Sequence, residues 1–154
     1  NNYALALARA GKFTEAQQEL EKAALLDAPN AGRYFYNLGA LLTNAGQLEA
    51  AGTAFKKAID GDPNYADAQY QYGIYLTSKA QVDTKTGAMS FPPGTKEAFE
   101  KYLALKPDGP FAESAKGMIQ TMGGTVSTTY TNPDAMAARQ GAADSTPPIQ
   151  NHRF

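Results

Sequence analysis

Read for the spacing of its apolar positions, the chain repeats itself. The stretch LARAGKFTEAQQELEKAALLDAPN lies over LLTNAGQLEAAGTAFKKAIDGDPN, with Gly11 over Gly46, Phe13 over Leu48, Ala16 over Ala51, Leu20 over Phe55 and Ala23 over Ala58, each pair 35 residues apart. A third copy follows, in which Tyr72-Gly73 answers Leu38-Gly39 and AFEKYLALKPDG answers AFKKAIDGDPNY. Its Pro107 lies 44 residues after Pro63, so the third copy is the longest.

Each copy predicts two amphipathic helices joined by a tight turn. In the second copy Phe35, Leu38, Leu41 and Leu42 recur with helical spacing and make one apolar stripe. The run NAG then breaks the helix, with Gly46 free to take the left-handed conformation at its end. Leu48, Ala51, Phe55, Ala58 and Ile59 share a face of the partner helix, where small Gly39 and Ala51 permit close approach and Phe55 fills the space above them. Pro63 biases Asp62 away from helical geometry and stops that helix.

On these residues the chain resembles the tetratricopeptide (TPR) repeat family, whose pattern is Trp-x2-Leu-Gly-x2-Tyr, then Ala-x3-Phe-x2-Ala, then Pro. The second copy supplies Phe35, Leu38, Gly39, Leu42, Ala51, Phe55, Ala58 and Pro63 in register. The first copy has Tyr3-Ala4 where Leu-Gly is usual. The third has Tyr72, Gly73, Leu76, Phe99 and Pro107, with Thr95 and Tyr102 in place of two alanines. The resemblance spans residues 1–109. It implies an all-α, right-handed TPR-like α-solenoid of three helix pairs, the first truncated.

Three segments depart from the repeat. Residues 77–94 form a long loop in the third copy, with Gly87, Gly94 and Pro92-Pro93. It is either a tolerated insertion or a partner-contacting protrusion led by Met89 and Phe91. Residues 110–122 predict a capping helix on Phe111, Ala115, Met118, Ile119 and Met122, closing a superhelical domain over 1–122. Residues 123–154 form a polar, Ala/Pro-rich extended tail. It either reaches a neighbour or folds back along its own solenoid.

Composition removes most chemistry. The net charge of -1 makes no case for nucleic acid or an anionic surface, and no run of apolar residues is long enough to insert in a membrane. No cysteine is present, which excludes thiol catalysis, disulfides and cysteine-ligated zinc. His152 is the single histidine and has no partner for a triad or a metal site. No catalytic residue, metal ligand or cofactor site is expected, and the reading is not an enzyme. The leading Asn1 suggests either N-terminal processing, with an extracytoplasmic or secreted location, or a fragment boundary; a cytoplasmic location is the alternative.

Function is therefore expected to be protein binding. The resemblance places Arg33, Tyr36, Asn37, Ala40 and Asn44 on the concave side of one helix and Tyr70, Gln71, Ile74 and Ser78 on the next. Tyrosine with Arg and Asn suits a partner- or peptide-binding groove. The Lys and Asn with which chaperone-binding members hold a terminal carboxylate are absent, because Asn1 and Leu5 stand at those places. A second expectation concerns assembly. A truncated first pair would leave Tyr3, Ala4 and Leu7 short of cover, and a second copy could complete it head to tail, as a filament or ring. The contacts would be Tyr3, Leu7, Phe111, Met118, Met122, Val126, Tyr130 and Phe154. The chain would then be a homo-oligomer or a subunit of a larger complex; the alternative is an adaptor for a peptide of a different protein.

Overall fold

A computed structural model of the chain describes residues 2–123. Among the described residues seven α-helices follow one another: α1 (Asn2–Arg9), α2 (Phe13–Leu26), α3 (Ala31–Asn44), α4 (Leu48–Gly61), α5 (Ala66–Thr77), α6 (Thr95–Leu105) and α7 (Ala112–Thr121). Each packs chiefly on the helices before and after it, as in a TPR-like solenoid of three pairs and a final helix.

The turns within the first two pairs are built alike. Gly11 and Gly46 sit at φ +76° and +73°. At each, the next amide reaches back to a carbonyl five residues earlier, Lys12 to Leu7 and Gln47 to Leu42, both at 2.9 Å. The glycine amides bond to Ala8 and Thr43, which completes a Schellman motif that satisfies the helix-end carbonyls. Asp62 is extended at φ −143°, as the following proline requires.

Glycines set how closely the helices approach. A Cβ on Gly39 would lie 2.5 Å from the Phe55 ring, one on Gly52 2.4 Å from the Tyr75 ring, and one on Gly73 2.9 Å from the Phe99 ring. The first and third contacts lock the two helices of a pair; the second joins α4 to α5. Buried side chains gather in two clusters. One is built on Leu20, Leu38, Leu42 and Phe55, the other on Phe99, Tyr102, Leu103 and Ile119.

Tyr102 is fully buried where the family pattern has an alanine. Its hydroxyl oxygen accepts the Phe111 N–H at 3.0 Å. Gly109 makes room, since a Cβ there would lie 2.3 Å from that oxygen.

Two expectations need correction. Ala4 and Leu7 are not short of cover: they are 1% and 9% exposed, inside the first cluster, because α2 and α3 close over the short α1. The segment between α5 and α6 is also more than a loop. Gln81–Val82 (β1) pairs antiparallel with Met89–Ser90 (β2), joined by a turn in which Asp83 accepts the amides of Lys85 and Thr86 at 2.7 and 3.0 Å. The capping helix begins at Ala112, with Pro110 and Phe111 in the turn before it.

Candidate functional site

Helix pairs stacked in one layer leave a hollow wherever three helices meet, and here two such hollows repeat. The first, of about 390 Å³, is lined by Leu5, Ala8 and Arg9 of α1, Phe13 of α2, and Asn37, Ala40, Leu41 and Asn44 of α3. The second, of about 200 Å³, is lined by Thr43 of α3, Leu48, Ala51 and Phe55 of α4, and Gln71, Ile74, Tyr75 and Ser78 of α5.

Moving each position of the first hollow one repeat along the chain reproduces most of the second. Ala8 becomes Thr43, Phe13 becomes Leu48, Asn37 becomes Gln71, Ala40 becomes Ile74, Leu41 becomes Tyr75 and Asn44 becomes Ser78. Each hollow thus has an apolar floor and an amide or hydroxyl on its α3 or α5 wall.

The predicted groove residues divide among these hollows, the core and the open surface. Asn37, Ala40 and Asn44 line the first, and Gln71, Ile74 and Ser78 line the second. Arg33 is exposed at the opposite end of α3 from Asn44 and lines neither. Tyr36 is half-buried against Phe55 and Tyr65, with ring centroids 5.9 and 4.8 Å away. Burial raises the pKa of both tyrosines.

Tyr70 corrects the sequence reading. It is 8% exposed, stacks on Phe111 with centroids 4.4 Å apart, and shares a 2.8 Å hydrogen bond with Ser114. The ring is a core residue because Phe99 and Tyr102 of α6, Phe111 in the turn before α7 and Ser114 of α7 close around it.

The predicted assembly residues divide likewise. Tyr3 is 64% exposed. Leu7 is buried in its own chain, which removes it from the exposed surface. Phe111, Met118 and Met122 are half-buried against the last cluster. Val126, Tyr130, Phe154 and His152 lie outside the described residues.

Sequence reasoning missed Arg9 and Phe13, although carrying Asn44 and Leu48 back one repeat points to both. It also missed Leu25 and Leu26 at the end of α2, which are 84% and 79% exposed. They continue an apolar run whose inner member, Ala24, is buried, and the pattern alone does not say where cover stops.

Tyr75 ties the second hollow to a charged edge. Its hydroxyl donates to Glu49 at 2.9 Å, and Glu49 also pairs with Lys79, whose ammonium stands 5.6 Å from the Tyr75 ring centre. Arg9 of the first hollow makes no ion pair among the described residues. No described group of three or more His, Cys, Asp or Glu side chains is arranged to hold a metal, and no described helix is long and apolar enough to cross a membrane.

Residues 32–65, which span most of α3, all of α4 and the turn into α5, match the family model of the tetratricopeptide repeat. No curated protein matches the chain.

Proposed function

We propose that this chain is a non-enzymatic protein-interaction scaffold whose paired hollows hold a segment of another protein. A tetratricopeptide repeat is a protein-interaction unit, and the face that carries the hollows is built mainly from the first helix of each pair. The observation that carries the reading is the lining of these two hollows, which recur at corresponding positions and hold one ionised side chain, Arg9, between them. Hollows recur in register on another face as well, but those carry Glu21 and Lys57 in one and Lys56, Glu97 and Lys101 in the other. Apolar floors with mostly neutral polar walls suit a linear partner better than a surface of mixed charge does.

The test is peptide display against the full chain, with recovered peptides measured on the wild type and on Ala40→Glu and Ile74→Glu. Each substitution puts a carboxylate into one hollow from a half-buried surface position. Binding that falls in both variants supports the reading. Peptides that bind all three proteins equally place the partner elsewhere and sink it.

Self-assembly is the second reading, favoured by the exposure of Tyr3, Leu25 and Leu26 on the first helix pair. These side chains offer an apolar end on which a second copy can stack head to tail. Light scattering of the full chain and of Leu25→Glu/Leu26→Glu tests it. A species larger than one chain that reverts to monomer in the variant supports assembly, and a monomeric wild type at high concentration removes it.

A further inference from the structure

Resting on the reading of the hollows as ligand sites, we propose that the second hollow is occupied by the chain's own residues 125–131. The Tyr130 ring seats in it, and a partner reaches this hollow only by displacing that segment.

The path is short. Helices α5 and α6 run antiparallel: Tyr70 meets Tyr102, a Cβ on Gly73 would meet Phe99, and one on Gly94 would meet Leu76. The chain turns back after α6, where the Tyr102 hydroxyl accepts the Phe111 amide, so α7, packed on α6, runs parallel to α5. Tyr70 and Ser114 pair at 2.8 Å, and eight residues further along each helix stand Ser78 and Met122. The end of α7 is therefore level with Ser78, which lines the second hollow. Only α5 lies between, and a helix with its side chains is about 10–12 Å across. Tyr130 is seven residues past Gly123, a length that covers up to about 23 Å when extended. The first hollow lies beyond α3 as well.

The chemistry of the segment fits the same place. No charged residue occurs in 124–133, and Val126, Thr128 and Tyr130 alternate, so an extended chain puts the three on one face. The second hollow has no ionised side chain: Leu48 and Phe55 lie in its floor, and Gln71 and Ser78 bring an amide and a hydroxyl to its wall. The first hollow carries Arg9. At about 200 Å³ the second has room for one ring, since a cavity of about 150 Å³ takes a benzene. The tether favours the chain's own segment over a foreign one. A segment attached this close stands at an effective concentration of about millimolar, which a foreign peptide of like affinity has to exceed.

The experiment is methyl NMR of the full chain, labelled at isoleucine and leucine. Tyr130→Ala is expected to shift the Ile74 and Leu48 methyls and to remove a ring-to-methyl NOE at Ile74. Tyr130→Phe is expected to keep both, and the Leu5 methyls of the first hollow are expected to stay where they are. None of these signals is expected to depend on protein concentration. Displayed peptides that need the second hollow are expected to bind Tyr130→Ala about three- to tenfold more tightly than the wild type, whose hollow is open only part of the time.

Ile74 and Leu48 methyls indifferent to Tyr130→Ala overturn the proposal. So does a Tyr130 effect that grows with concentration, which gives the hollow to the tail of a second copy, or one that appears at Leu5 instead. If displayed peptides respond to Ala40→Glu and Ile74→Glu while Tyr130→Ala moves no methyl, this inference fails and the scaffold reading stands. If the Tyr130 contact is present but no displayed peptide responds to either substitution, even on Tyr130→Ala, the hollow serves the chain itself and the foreign partner is removed. With neither response, both fail.

Discussion

Tyr102 takes an alanine's place in the repeat without disorder because its ring and its hydroxyl are both satisfied. The ring packs with Tyr70 and Phe111 at centroid distances of 5.4 and 6.0 Å, and the oxygen takes the Phe111 amide. Tyr102→Phe keeps the volume and strips the acceptor. Leaving that amide unsatisfied is expected to cost about 1–3 kcal/mol, read as a lowered urea midpoint at unchanged slope. Asp83 gives a pH prediction at the same scale. The amides of Thr86 and Lys85 stabilise its carboxylate and depress its pKa. Its support for the turn is therefore complete above the unfolded value of about 3.9 and is lost as pH falls through the lower folded value. NMR shifts of the Lys85 and Thr86 amides are expected to hold steady from neutral pH down to that range and to move below it. A midpoint at or above the ordinary aspartate value contradicts the contact. The sequence flagged Tyr102 only as a departure from a pattern. What the departure does depends on Gly109 and Phe111, seven and nine residues on, and no periodicity links the three.

At the scale of elements, paired helices were the most legible part of the chain, because a 3.6-residue stripe, a glycine stop and a proline break all recur at fixed intervals. The role of Gly39 was legible too, since it lies on the apolar stripe where only a small residue lets Phe55 in. Gly39→Ala drives a methyl into that ring, and overpacking of this kind is expected to cost about 1–3 kcal/mol. Thermal unfolding checks it, and a neutral result means the ring moves aside freely. The β1–β2 ribbon was not legible as strands. Each has two residues, too few for alternation to register, and its turn is held by one aspartate. Residues 81–90 are all exposed, including Val82 and Met89 at 56% and 55%. Replacing them with Gly-Ser-Gly is expected to move global stability by no more than about 0.5 kcal/mol, measured by urea denaturation. A larger loss means that the ribbon braces α5 against α6.

Across the whole molecule, contacts run from neighbour to neighbour, so stability is closer to a sum over adjacent helices than to a single core. Leu20 is fully buried in the first cluster and Ile119 in the second. Leu20→Ala is expected to cost about 2–5 kcal/mol and to speed native-state hydrogen exchange in α1 to α3 more than in α6 and α7. Uniform acceleration along the chain argues for one cooperative unit instead. Tyr70 marks the limit of sequence reading at this scale. Its helical position matches a groove residue, and the rings of α6, Phe111 and Ser114 that close around it come from later in the chain at no repeating interval. The glycine and ring contacts carry a consequence for how such a chain can be recombined. Gly39 meets Phe55, Gly52 meets Tyr75 and Gly73 meets Phe99, and along the chain these three intervals overlap. Every crossover point between residues 39 and 99 therefore parts some ring from its glycine. Trading repeats with another array keeps the fit only if the incoming stretch brings both members of the severed pair, so what is inherited intact here is the interlocked run rather than the single repeat.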